Sequence, residues 1–188
     1  MTTDIHFHRD IRLAPRNYRG RQSYFVTICC NERRSIFADH RRCLWLVDLF
    51  RNECAAKDFA LHAYCVMPDH FHFLAEGTTP ASDLLALIKG FKIKSSRAHL
   101  RETQQILWQR RFYDHILRPR EAPEAVAWYI WMNPVRQGLS TVPGEYAFAG
   151  SFTRLAERLK PSAGIWTPPW KLTTATASEG GRYEKPTP

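Results

Sequence analysis

The apolar positions fall into alternating strand-like and helix-like stretches. Ser23 to Cys30 reads S-Y-F-V-T-I-C-C, rich in β-branched and aromatic residues, and stops at the polar run Asn31 to Arg34, which predicts a first strand. From Asp39, a suitable N-cap, Cys43, Leu46, Val47, Phe50 and Cys54 recur at helical spacing while Arg41, Arg42, Asp48, Arg51 and Lys57 take other angles, predicting a helix over 40–56. Phe59 to Met67 and His70 to Glu76 are two further strand-like runs separated by the turn residues Pro68 and Asp69, and they predict a hairpin that ends at Gly77-Thr78-Thr79-Pro80. Ser82 or Asp83 caps a long helix whose residues Leu84, Leu87, Ile88, Phe91 and Ala98 fit an arc of about 100°. Leu85, Ile93 and Leu100 fall outside that arc, and Gly90 weakens its continuity. Ile106 to Leu117 predicts a fourth strand, and Glu121 to Met132 a short last helix, with Pro123 near its start and the Asn133-Pro134 step ending it.

This order contains the split β-α-β pattern of a ferredoxin-like α+β sandwich, an antiparallel sheet of four to five strands with helices packed on it. Residues 1–22, with five arginines and no apolar period, read as a basic arm; 23–152 form the domain, and 153–188 an extension with a partly disordered tail. A chain of 188 residues, 44% hydrophobic, has room for one core. The net charge of +9 directs expectation toward polyanions. No run approaches the roughly 18 apolar residues of a membrane span, and charges at Asp4, Arg9, Asp10 and Arg12 argue against a signal peptide. Five cysteines without a C-x-x-C pair read as reduced core thiols of a cytoplasmic, nucleoid-associated protein.

On the third strand, His70, His72, Leu74 and Glu76 share one face and Phe71, Phe73 and Ala75 the other. The aromatic face suits the core, which leaves two imidazoles side by side on the outer face, at a spacing that lets both hold one metal ion. A lone H-x-H is most simply a pair of half-exposed strand residues, and Glu76 a solvated charge. A tyrosine within W-Y-I-W-M ordinarily packs its ring. Tyr129 and Asn133, however, are four residues apart and so share a helix face.

Three blocks carry a resemblance. They are Ala63-Tyr64-Cys65-Val66-Met67-Pro68-Asp69-His70-Phe71-His72-Phe73-Leu74, then Leu107-Trp108-Gln109-Arg110-Arg111-Phe112-Tyr113-Asp114-His115, then Tyr129-Ile130-Trp131-Met132-Asn133-Pro134-Val135-Arg136-Gln137-Gly138-Leu139. Together they resemble the single-tyrosine HUH transposases, in particular the REP-associated branch, from about Arg12 to Phe152. The resemblance implies that His70 and His72 are the HUH pair, that Tyr129 on a C-terminal catalytic helix is the nucleophile, and that Asn133 completes a divalent metal site for Mg²⁺ or Mn²⁺. Insertion-sequence relatives usually carry Gln where this chain has Asn133.

It further implies single-stranded DNA with hairpins as substrate, a 5′-phosphotyrosine intermediate and strand transfer without a small-molecule cofactor; no P-loop pattern is present. Arg9, Arg12, Arg16, Arg19 and Arg21 are candidates to track phosphates, and Lys89, Lys92, Lys94, Arg97, Arg110 and Arg111 to hold a stem. Trp108 or Tyr113 could stack unpaired bases, or either could equally belong to the core. A monomer is expected, with a dimer as the alternative. The rival readings are a non-catalytic ferredoxin-like nucleic-acid binder, a metal nuclease that activates water with Tyr129 structural, and a plasmid-type relaxase or replication initiator.

Overall fold

A computed structural model describes residues 15–143, 145–153 and 166–167. Its centre is a five-stranded antiparallel sheet ordered β4-β1-β3-β2-β5, from β1 (Ser23–Cys29), β2 (Phe59–Met67), β3 (His70–Gly77), β4 (Tyr113–Ile116) and β5 (Ala149–Gly150). The helices are α1 (His40–Ala56), α2 (Leu84–Thr103) and α3 (Pro123–Arg136). The expected α+β sandwich is therefore observed. Asp39 caps α1 by accepting from the Arg41 and Arg42 N–H groups, and Asp83 caps α2 through the Ala86 N–H.

Both faces of the sheet are packed. On one, α1 and α2 bury an aromatic cluster in which the Phe50 ring lies 5.0 Å from Phe71, 4.4 Å from Phe73 and 4.8 Å from Phe91. Ile93 and Leu100, outside the helical arc, are exposed as their angles required. Gly90 sits where an added Cβ would come within 2.6 Å of the Glu53 carboxylate, so the missing side chain makes room for a buried charge and the helix runs on. On the other face, Val126, Ile130 and Trp131 of α3 cover Phe25, Ala63, Cys65 and Leu74. The side of β3 read from the sequence as outward is thus a second buried face: Leu74 is fully buried and His72 nearly so.

The fourth strand is much shorter than the expected Ile106 to Leu117. Leu107 and Trp108 turn into the α1/α2 core instead, where the Trp108 indole N–H donates to Ser95 Oγ at 2.8 Å. The next two carbonyls, of Gln109 and Arg110, are taken by the Lys92 ammonium at 2.6 and 3.1 Å. Burial removes Trp108 from the base-stacking candidates, whereas Tyr113 remains exposed.

The last helix also departs from expectation, running past Asn133-Pro134 to Arg136. A proline at this position deprives the Ile130 carbonyl of its helical N–H. The Asn133 side-chain amide supplies the missing donor, bonding the Tyr129 and Ile130 carbonyls at 3.1 Å each, and the Arg136 guanidinium adds a bond to the Tyr129 carbonyl at 2.7 Å.

Packed structure also reaches back beyond Ser23: Tyr18 is buried, Tyr24 donates its hydroxyl to the Asn17 carbonyl at 3.1 Å, and an added Cβ at Gly77 would meet the Gly20 carbonyl oxygen at 2.1 Å. The cysteines are free thiols, and all but Cys29 are buried. Burial pushes the Cys43 thiol up to about 12, which makes it an inert core group. Among the described residues, no helix is long and apolar enough to cross a membrane.

Candidate functional site

The site begins with strand pairing. Antiparallel register sets Thr27 of β1 opposite His72 and Cys29 opposite His70, while Cys65 and Met67 of β2 flank the same two histidines on the other side. Each imidazole has one nitrogen held from behind. His70 Nδ1 lies 2.5 Å from the Asp69 carboxylate, and His72 Nδ1 lies 2.7 Å from the Thr27 hydroxyl.

A carboxylate only accepts, so His70 Nδ1 carries a proton, and in the neutral ring Nε2 holds a lone pair. That Nε2 lies 2.9 Å from His72 Nε2. The convergence has two chemical solutions: His72 donates to His70, or both lone pairs face one cation. Orientation of ligating imidazoles by a carboxylate or hydroxyl on the far nitrogen is how protein metal sites are ordinarily supported.

Electrostatics keep the second ring uncharged, as both arrangements require. Burial, followed by the charges of His70, Arg136 and Arg33, drives His72 well below its usual range, so this imidazole is neutral at physiological pH. Although burial opposes it, the His70 hydrogen bond and charge and the Arg33 guanidinium hold the Asp69 carboxyl below its ordinary value. Arg33 Nε lies 3.2 Å from that carboxylate.

Helix α3 lies across this face of the sheet and brings the tyrosine. The Phe25 ring is stacked 5.6 Å from His72 and meets the Tyr129 ring edge-on at 5.9 Å, so one side chain touches both His72 and the phenol ring. Tyr129 is half-buried, with the Trp166 ring at 5.0 Å and the Arg136 guanidinium 4.4 Å from its ring centre. Burial raises the phenol above its ordinary value, and Arg136 pulls the other way. Asn133 stands one turn further on.

With both N–H bonds of the Asn133 amide committed to helix carbonyls, its remaining polar atom is Oδ1, an acceptor. Among the described residues, no group of three or more His, Cys, Asp or Glu forms a metal site. The Asn133 carbonyl, one turn from Tyr129 on α3, has the chemistry of a third, oxygen ligand. Two neutral nitrogens and one amide oxygen, with positions left for water and a phosphate oxygen, suit a divalent ion such as Mn²⁺ or Mg²⁺. A cleft of about 350 Å³ opens beside His70, lined by Arg33, Ser35, Asp69, Gln137 and Leu139 among others.

Several contributors were not singled out in the sequence. Asp69 is adjacent to His70, and Arg136 is seven residues after Tyr129 on the same helix face, so spacing alone could have found both. Thr27, Phe25 and Trp166 depend on register and on chain return, which no local pattern encodes. Glu76, read as a solvated charge, bonds His62 Nε2 at 2.8 Å.

The candidate DNA contacts divide. Arg9 and Arg12, with the side chain of Arg16, lie outside the described residues. Arg21, Lys89, Arg97, Arg110 and Arg111 are exposed, and Arg19 is 3.4 Å from Asp83. Lys92 and Lys94 also have partners within the fold. Lys92 is engaged by the carbonyls noted above, and Lys94 is paired with Glu53, a buried carboxylate that requires a counter-charge.

The family described as "Transposase IS200 like" matches residues 20–131. The chain belongs to the IS200-like transposases. Within that family it is 28% identical over 105 residues to a REP-associated tyrosine transposase of Escherichia coli K12, covering 56% of this chain and 62% of that protein. A Haemophilus influenzae protein provisionally assigned the same name is 27% identical over 143 residues, covering 70% of this chain and 80% of that protein. The fold superposes with a TM-score of 0.67 on a REP-associated tyrosine transposase solved bound to a REP hairpin, at 20% identity, covering 85% of this chain and 96% of that one. This transposase thus shares its fold with a hairpin-bound relative.

Proposed function

We propose that this transposase is a metal-dependent single-stranded DNA endonuclease and strand transferase, acting on hairpin DNA through a covalent tyrosine intermediate. The observation that carries the reading is the bridge through Phe25, which places Tyr129 and the convergent imidazoles of His70 and His72 on one face of the sheet. Hairpin DNA as substrate rests on the similar REP-associated proteins.

Phosphodiester cleavage needs an aligned nucleophile and compensation of the charge that grows on the phosphate oxygens. The Tyr129 oxygen attacks phosphorus and gives its proton to solvent. The bond from phosphorus to the 3′-oxygen breaks, and that oxygen takes up a proton, leaving a 5′-phosphotyrosine and a free 3′-OH. A divalent ion, when bound by His70, His72 and Asn133 Oδ1, supplies Lewis-acid polarisation of the scissile phosphate.

The chain's own groups prepare this step. Asp69 and Thr27 hold the two rings in ligating orientation, and Phe25 and Trp166 fix the phenol ring and limit water around it. The Arg136 guanidinium stabilises phenolate character and offers charge to a phosphate oxygen. Because the phosphotyrosine retains the ester, a 3′-OH from another strand can attack the same phosphorus, release the tyrosine and reseal the DNA without ATP. A monomer carrying all these groups in one chain is sufficient for the chemistry.

The test incubates labelled hairpin single-stranded DNA with the protein and Mn²⁺ or Mg²⁺, and reads protein-linked DNA on a denaturing gel. Wild type gives the adduct and Tyr129→Phe none. An adduct that persists in Tyr129→Phe overturns the assignment of the nucleophile. Cleavage without any adduct supports a water-activating nuclease, and binding without cleavage supports a non-catalytic binder.

A further inference from the structure

A second cleft, of about 390 Å³, lies between the first turns of α1 and the last turns of α2, on the sheet face away from α3. Arg42 and Trp45 of α1, His99 and Glu102 of α2, and Phe37 and Leu107 contribute to its walls. Nothing in the proposed cleavage step uses them.

Three features of this cleft call for a ligand. His99 is only 6% exposed, and its Nε2 has no hydrogen-bond partner. Its Nδ1 is 3.4 Å from the Arg42 guanidinium, which can only donate, so Nδ1 accepts and the proton of the neutral ring sits on Nε2. A buried donor without a partner costs free energy that a bound acceptor recovers. Trp45, an indole 38% exposed, stands at the same cleft one turn from Arg41, which lines it too.

The remaining charges are already compensated in part: Asp39 caps α1, and Glu102 is 3.8 Å from Arg42. An aromatic face, a base-edge donor and two arginines together match a nucleotide, with base stacked and phosphate paired.

The position of the cleft links it to the tyrosine site. The connection from Asn31 to Ala38 runs between the two: Arg33 is paired with Asp69 behind His70, whereas the next residue, Arg34, bonds Gln105 Oε1 at 2.8 Å at the end of α2. The Phe37 N–H bonds the Pro68 carbonyl at 2.9 Å, which fastens the cleft wall to the β2–β3 turn. This connection therefore borders both clefts, with Arg33 and Ser35 lining one and Ile36 and Phe37 the other.

We propose that the α1/α2 cleft captures one unpaired nucleotide from the single-stranded flank of the DNA handled at Tyr129, stacking its base on Trp45 and pairing its phosphate with Arg41 and Arg42, with a turn of the His99 ring opening the closed-off Nε2 to the base edge. The proposal rests on the single-stranded DNA reading above and adds a specificity-determining subsite to it.

The experiment measures binding of hairpin DNA carrying single-stranded flanks, with each flank nucleotide replaced in turn by an abasic residue, for wild type, Trp45→Ala and Trp45→Tyr. At one flank position the abasic substitution weakens wild-type binding by about 5- to 150-fold, the range of one base–aromatic stack. The same substitution changes Trp45→Ala binding less than about twofold, and Trp45→Tyr restores most of the sensitivity. His99→Phe, which keeps the ring and removes the donor, weakens binding only when that base is present.

An equal abasic penalty in wild type and Trp45→Ala at every position overturns the subsite. If that happens while the Tyr129 adduct still forms, the cleft proposal alone has failed. Coupling at Trp45 without any adduct leaves the cleft standing and removes the cleavage reading, and no binding of hairpin DNA at all removes both.

Discussion

The two faces of β3 differ in what they bury. Toward α1 and α2, Phe71 and Phe73 meet Phe50 and Phe91 in a contact set made of carbon. Toward α3, the intervening residues His70 and His72 meet Asp69, Thr27 and Phe25, with a phenol, an amide and a guanidinium on the covering helix. Strand alternation lets one eight-residue segment serve both, so the apolar face stabilises the register on which the polar face depends. The lesson is that polar groups can be held to ligating geometry when the strand carrying them is fixed from behind.

The largest separation between the faces comes from paired substitutions. Tyr129→Phe removes adduct formation by at least about a thousandfold, and chemical denaturation shows stability close to wild type. Phe73→Ala does the reverse, costing about 3–5 kcal/mol by urea unfolding while the adduct yield per folded molecule is retained. Loss of adduct chemistry in the folded fraction of Phe73→Ala would contradict this division.

Next in size is the support behind the histidines. Thr27→Val keeps shape and removes the hydroxyl, and it lowers both Mn²⁺ affinity by calorimetry and cleavage rate by about 10- to 100-fold. A smaller and divided effect is expected at Asn133. Asn133→Ala loses the two bonds that close α3 around Pro134, costing about 1 kcal/mol, and also loses the oxygen ligand. Asn133→Asp restores an oxygen and with it much of the Mn²⁺ affinity, but cannot donate to the helix carbonyls, so the stability loss stays.

How much of this was legible follows from the range of each interaction. The α1 boundaries, the capped start of α2 and the β2–β3 hairpin come from patterns within a few residues, and the structure matches them. Trp108 was misplaced because its strand-like neighbours gave no sign that the Ser95 hydroxyl would draw the indole inward. The end of α3 was misplaced because proline ordinarily stops a helix, and only the Asn133 side chain shows how the orphaned carbonyls are met. The histidine pair and the tyrosine were visible as motif residues, but not Thr27 or Trp166, which reach them through pairing register and chain return.

The smallest effect concerns the polar anchor of Trp166, whose indole N–H bonds Glu121 Oε1 at 3.1 Å. Burial opposes ionisation of Glu121, but hydrogen bonds from the Arg118 N–H, the Trp166 indole and His115, with the His115 charge, hold its carboxyl below the ordinary value. A lowered folded-state value contributes stability that is present above the unfolded value near 4.3 and is lost as pH falls through the folded one. Thermal melts of wild type should therefore lose more between pH 6 and pH 3 than those of Glu121→Gln, with a matching change in tryptophan fluorescence. Parallel profiles for the two proteins would show that Glu121 carries no such linkage.

The hairpin between β2 and β3 has only two residues outside its strands, and the second of them, Asp69, is the carboxylate that orients His70. Adding or deleting one residue there would slide β3 by one place and exchange imidazoles for phenylalanines across the sheet. The connection over 104–112 is also held, by Arg34 at Gln105, by the burial of Leu107 and Trp108 and by Lys92 at the Gln109 and Arg110 carbonyls, but neither imidazole takes its register from it. Descendants of this sequence can therefore drift in size at one end of the domain, whereas at the other a single inserted codon is enough to silence it.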